Sequence, residues 1–176
     1  MAGPARGGRP VVALVIAHAG YREEELDAPA AALRAAGYEV RVASSSLAPA
    51  EGMQGGRAEV DLLYSAVDPA ACAALVFVGG TGASEYFHDR AAHRLASEAL
   101  RADRVVAAIC YGPSTLAEAG LLTGRRATCF PGRRLHLETQ GALVEDAAVV
   151  VDGRIVTGRG PEDAPAFARA LVAALA

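Results

Sequence analysis

Two patterns alternate along the chain: short runs that are apolar at nearly every position, and longer Ala-rich stretches where apolar and charged residues recur with a helical period. The first run, VVALVIA at 11–17, offers no polar side to water, as a central parallel strand covered on both faces requires. REEELDAPAAALRAAG at 22–37 reads as a helix closed by Gly37, and YEVRVAS at 38–44 as the next strand. A polar loop with Ser44 to Ser46 and the stretch GMQGG at 52–56 leads to AEVDLLYS, a further extended segment. ALVFVGG at 74–80 is a strand, AAHRLASEALRA at 91–102 a helix, RVVAAI at 104–109 a strand and PSTLAEAGLL at 113–122 a helix. AAVVVDGRIVTG at 147–158 predicts a hairpin around Asp152-Gly153, and EDAPAFARALVAAL at 162–175 a last helix. This order predicts a doubly wound α/β sandwich with a mostly parallel sheet. One domain is expected over 1–176, with 1–10 as a flexible arm.

Composition narrows the function classes. With 176 residues, 52% of them hydrophobic, and a mean hydropathy of +0.23, the chain can bury a substantial core. A net charge of −3 and a pI near 5.8 argue against nucleic acid as a partner, because phosphate recognition needs clustered positive charge. Every basic residue is Arg, and Lys, Asn and Trp are absent, which fits a GC-rich coding bias. The apolar run that follows MAGPARGGRP is too short for a signal peptide or a membrane span, so a cytoplasmic protein with no membrane partner is expected. Three cysteines without a CxxC pair suggest free thiols and neither a disulfide framework nor a metal site. No cofactor is expected.

Sites in such sheets form where the carboxyl ends of the strands converge. Three strand ends stand out: HAGYREEE, GGTG and CYGP. Cys110 sits at a tight strand-to-helix joint resembling a nucleophile elbow, with Gly112 and Pro113 suited to the bend and the first helical turn. A helix N-terminus there favours the thiolate, so a lowered Cys110 pKa is expected. The alternative for Cys110 is a small buried thiol of the core. Cys72, in PAACAAL, reads as core, and nothing near Cys129 marks it as reactive. If the Gly80 and Tyr111 N–H groups converge beside the sulfur, they form an oxyanion hole.

AICYGP, preceded by VFVGGTG and YREEELDAP and followed by TGRRATCFPG and VDGRIVTGRGPEDAPAF, resembles the ThiJ/PfpI superfamily of deglycase-like and intracellular peptidase-like proteins over nearly the whole chain. The resemblance implies a flavodoxin-like sandwich, a homodimer or higher homo-oligomer, and a reactive Cys110 beside a Glu four residues before Pro29, which is Glu25. A pocket lined by Gly79, Tyr21 and Phe130 is expected beside them. A carboxyl facing a thiolate in a desolvated pocket would hold its proton and act as a positioned acid. Glu23 and Glu24 read as a solvated helix face.

Where the peptidase-like members carry His after the Cys, this chain has Tyr111; where the deglycase-like branch has His before Pro, it has Phe130. His18, ending the first strand, either replaces that base or hydrogen-bonds a loop carbonyl. His88, His93 and His136 read as surface or interface residues. The expected function is a cysteine-thiolate enzyme acting on a small electrophilic substrate, for which the resemblance implies a 2-oxoaldehyde or an isonitrile. The alternatives are a redox sensor or chaperone-like dimer using Cys110 oxidation, and a peptidase, which Tyr111 disfavours. An amidotransferase, a remote alternative, would share the elbow but need a late His-x-Glu pair to complete its triad.

Overall fold

A computed structural model describes residues 7–176. Most of the expected flexible arm, residues 1–6, lies outside the described residues; at its end the Pro10 carbonyl accepts from Glu39 N–H at 2.9 Å.

In chain order the elements are β1 (Val11–Val15), β2 (Ala19–Tyr21), α1 (Glu23–Ala35), β3 (Glu39–Ser44), β4 (Ala50–Gly52), β5 (Arg57–Ala58), β6 (Leu62–Leu63) and β7 (Ala74–Phe77). They continue with α2 (Arg90–Arg101), β8 (Val105–Ile109), α3 (Pro113–Glu118), β9 (Arg126–Ala127), α4 (Arg134–Thr139), β10 (Leu143–Val144), β11 (Val149–Asp152), β12 (Ile155–Gly158) and α5 (Ala164–Leu175). The central sheet has seven strands in the order β11-β12-β8-β7-β1-β3-β6. All its pairings are parallel except β11 with β12, the expected hairpin, whose register sets Asp152 opposite Ile155. This is the doubly wound sandwich that the alternation predicts, in the flavodoxin-like form that the resemblance implies.

The all-apolar strands are explained by layers on both faces. Val12 and Leu14 of β1 join Val76, Ala107 and Ile109 in a cluster with Leu26 and Leu33 of α1 and with Phe167 and Leu171 of α5. Their neighbours Ala13 and Val15 join Phe77 and Ala108 in a second cluster with Leu95 of α2, Leu116 of α3 and Leu137 of α4. A strand whose successive side chains enter two different cores has no solvent face, hence no polar alternation.

Three features escape the sequence pattern. A small sheet, β2-β4-β5, forms beside the end of β1, β9 pairs with β10, and α4 occupies RRLHLETQ. Their strands are two or three residues long, too short to show a period. Helix α3 stops at Glu118, short of the expected 122, because Gly120 turns to a φ of +77° and sends Leu121 and Leu122 on as irregular backbone.

The two-core arrangement gives an expected outcome. Phe167→Ala removes a fully buried ring that joins α5 to the sheet, and should cost about 3–5 kcal/mol in chemical denaturation. Val151→Ala, at a position 45% exposed, should stay within about 0.5 kcal/mol of the parent.

Candidate active site

The backbone leaves β8 through Cys110, whose φ is +65°. A side chain in this left-handed region costs of order 1–3 kcal/mol and persists only where its surroundings over-determine it. Here they do. Cys110 N–H donates to the Gly158 carbonyl at 3.0 Å, its carbonyl accepts from Phe130 N–H at 3.0 Å, and Gly112 N–H closes the bend onto Ile109 at 2.9 Å. The elbow is thus fixed from β12 on one side and from the 126–130 segment on the other.

Glu25 arrives from the first turn of α1 and is 0% exposed. Its carboxyl lies against the Cys110 thiol and the Gly79 N–H, although neither oxygen makes a hydrogen bond of ordinary geometry there. The approach depends on Gly79: a Cβ at that position would stand 2.3 Å from Glu25 Oε1 and 2.7 Å from the Cys110 Cβ. Only a residue without a side chain lets carboxyl and thiol meet across the end of β7.

Burial is the largest influence on both groups. It raises the Glu25 pKa to about 8, against smaller opposing effects from the Cys110 contact, the Gly79 N–H and the Arg22 charge. It also pushes the Cys110 thiol up, reinforced by the Glu25 charge, while the Gly80 and Tyr111 N–H groups at the sulfur pull the other way. The expected lowering of the thiol pKa is therefore corrected: desolvation outweighs the donors at the elbow. The two acids behave as one coupled pair that holds its protons at neutral pH and resists carrying two charges.

The structure therefore brings together Cys110, Glu25, Gly79, Gly80 and Tyr111. Phe130 lies beside them, its ring 5.5 Å from that of Tyr111, and faces a cleft of about 320 Å³ shared with Arg22, Pro131, Arg159 and Gly160. Arg22 N–H donates to the Gly79 carbonyl at 3.0 Å, tying that cleft to the glycine under the carboxyl. The cleft's cations are already matched: Arg22 pairs with Glu24 at 2.7 Å, and Arg159 with Asp163 at 3.0 Å and Asp146 at 3.1 Å.

Two candidate residues make no hydrogen bond to the Cys110–Glu25 pair among the described residues. Tyr21 is 2% exposed and does not line the cleft; it packs in the α1–α5 core that also takes Cys110. His18 binds through its backbone, donating to Glu85 at 2.9 Å and accepting from Glu51 N–H at 2.9 Å, and no hydrogen bond joins its ring to Cys110 or Glu25 among the described residues. Of the two glutamates read as a solvated face, Glu24 is 42% exposed and pairs with Arg22, whereas Glu23 turns inward and accepts from the Gln54 and Gly56 N–H groups. Cys129 and Cys110 belong to opposite cores, which separates their side chains.

The profile of the DJ-1/PfpI family matches residues 11–174. The chain belongs to the DJ-1/PfpI family. A deglycase of Pyrococcus abyssi is 35% identical over 159 residues, covering 90% of this chain and 96% of the relative. A putative cysteine protease, YraA of Bacillus subtilis, is 34% identical, covering 85% of this chain and 89% of that one. Among solved structures, a ThiJ/PfpI domain protein from Brachyspira murdochii superposes with a TM-score of 0.92 at 32% identity, covering 96% of this chain and 98% of that one. No helix among the described residues is long and apolar enough to cross a membrane.

The raised Glu25 pKa has a consequence for stability with a definite sign. Below pH 4.5 the carboxyl is protonated whether the chain is folded or not; between 4.5 and about 8 only the unfolded chain ionises, so the wild type loses stability as pH rises; above about 8 the loss is complete. Glu25→Gln carries no such proton. Its stability relative to wild type should therefore climb by up to ~1.4 kcal/mol per pH unit across that window and then level off. Urea midpoints from pH 4 to 9 check this; parallel curves for the two proteins would contradict a buried, proton-holding carboxyl.

Proposed function

We propose that the protein is a cysteine-dependent enzyme in which the Cys110 sulfur adds to a small electrophilic carbon and Glu25 moves the proton. The observation that carries this reading is the left-handed Cys110 elbow held against a fully buried Glu25, with two backbone N–H groups at the sulfur. Strain, desolvation and a buried acid together cost stability, and such costs concentrate where chemistry is done.

The chemistry follows from where the donors lie. The pair can place one negative charge, and Gly80 and Tyr111 N–H face the sulfur while only Gly79 N–H faces the carboxyl. The pair first loses one proton to solvent, and the two donors at the sulfur let the remaining proton sit on the carboxyl, leaving thiolate beside neutral Glu25. With a 2-oxoaldehyde, the sulfur–carbon bond forms as the carbonyl π bond breaks, and oxygen takes the electron pair. The Gly80 and Tyr111 N–H groups stabilise that oxyanion, and Glu25 supplies its proton to give a hemithioacetal. The carboxylate left behind is then the base for the next proton. The same first step on an isonitrile carbon needs the same thiolate and the same acid. Support also comes from the relatives named deglycase.

The relative named a putative cysteine protease supports a hydrolytic reading less well, since no imidazole is hydrogen-bonded to the Cys110–Glu25 pair among the described residues.

A panel of methylglyoxal, an isonitrile and a fluorogenic peptide, assayed with wild type and Cys110→Ser, tests the proposal. Turnover of one of the small electrophiles should vanish in Cys110→Ser and fall by about two decades or more in Glu25→Gln, which keeps a donor but has no acid proton. Turnover that survives Cys110→Ser, or strong Cys110-dependent peptide cleavage, overturns it. Burial raises all three thiols, so the order of labelling rests on the donors: limiting iodoacetamide should label native Cys110 before Cys72 and Cys129, because the Gly80 and Tyr111 N–H groups can hold the charge of its sulfur.

A further inference from the structure

The GMQGG stretch, which no element of the main sheet uses, is bound to the site by two independent fastenings. Glu23, two residues before the buried Glu25, turns its Oε2 into the loop and accepts from Gln54 N–H at 2.8 Å and Gly56 N–H at 2.9 Å. The loop closes on it so tightly that a Cβ on Gly52 would stand 2.4 Å from the carboxylate and one on Gly56 2.8 Å from its Cγ. Gly52 and Gly56 are thereby accounted for, since the backbone wraps a charge that side chains would displace, while Gly55 supplies a φ of +82° between them. Oε1 of the same carboxylate is buried with no partner, so both fastening bonds fall on Oε2.

The second fastening is weaker. Met53 N–H donates to the Tyr21 carbonyl at 2.8 Å, and the Met53 sulfur accepts from Thr81 N–H at 3.4 Å. Thr81 follows Gly80, whose N–H faces the Cys110 sulfur. A strong backbone donor beside the reacting group is thus covered by a thioether, among the poorest acceptors in proteins, on a side chain that is itself 43% exposed.

We propose that loop 52–56 is the selectivity wall of the Cys110 site, with Glu23 as the positioning residue that clamps it and the Met53 thioether as a displaceable cap on a Thr81 N–H that a substrate oxygen takes over. The inference rests on Cys110 being the reacting group. A substrate able to offer an oxygen acceptor near the adduct gains a third backbone donor by pushing the sulfur aside. The clamp sets how much room it has.

The test uses the full chain with Glu23→Ala, Glu23→Gln and Met53→Leu, and two readouts that need no turnover. Amide hydrogen exchange at Gln54 and Gly56 should accelerate about tenfold or more in Glu23→Ala, the effect of losing charge-assisted hydrogen bonds, and much less in Glu23→Gln, which keeps an acceptor. Thr81 exchange should rise in Met53→Leu. The ratio of Cys110 alkylation rates for a bulky maleimide against iodoacetamide should rise in Glu23→Ala and be restored in Glu23→Gln. Faster loop exchange with an unchanged ratio would make the loop merely structural, and unchanged exchange would mean that Glu23 clamps nothing; either overturns the proposal. Where a substrate is turned over, Met53→Leu should shift KM more than kcat. Because alkylation and exchange proceed without catalysis, failure of the enzyme reading would show separately, as no turnover with the wall intact.

Discussion

Two acids buried side by side are the constraint around which this structure is arranged. Cys110 and Glu25 enter the same apolar core, where neither can ionise as it would in water and both cannot ionise together. Keeping them in contact requires a backbone in the left-handed region, a glycine at 79, and anchoring of the elbow from both β12 and the segment before Phe130. The seven-stranded sheet supplies the rigidity for this. Its central strands are buried on both faces, so their carboxyl ends deliver 79, 110 and 158 to fixed places.

Much of this was legible in the sequence, for reasons that differ by element. The long apolar strands and amphipathic helices announce themselves because a two-faced core suppresses polar alternation over five or six residues. Cys110 is legible because a strand, a small-residue turn and a helix start are all local. Glu25 is not: three successive glutamates have the same chemistry, and only the distance to Pro29, taken from the family pattern, separates them. Pro29 sits inside α1 and has no N–H for the carbonyl four residues back, which belongs to Glu25.

What the sequence hid are effects of long-range approach. That Glu23 reaches across to residues 54 and 56, and that the thiol is pushed up and not down, both depend on which groups surround a side chain in space. The N–H donors at the elbow do favour the thiolate, but desolvation of the buried sulfur is the larger effect. Likewise β2, β4 and β5 exist because two parts of the chain, 19–21 and 50–58, meet at the end of β1; none of these strands has enough residues to carry a period of its own.

The proton inventory of the site also limits the chemistry it can perform on the proposed reading. Cleaving an amide needs a proton for the departing amine and then activation of water, and both transfers occur on the open side of the sulfur. Glu25 is wholly enclosed, and the charges acting on it are those of Arg22 and Glu24 together with its Cys110 neighbour. It is placed to exchange a proton with atoms bonded directly to the sulfur or to the carbon beside it, and poorly placed to serve a leaving group or a solvent molecule farther out. Additions and proton shifts on a small adduct return the proton to the carboxyl that gave it, so one buried acid suffices for the cycle. A site built from one thiol, one enclosed carboxyl and backbone donors therefore fits reactions confined to two adjacent carbon atoms better than the scission of a chain.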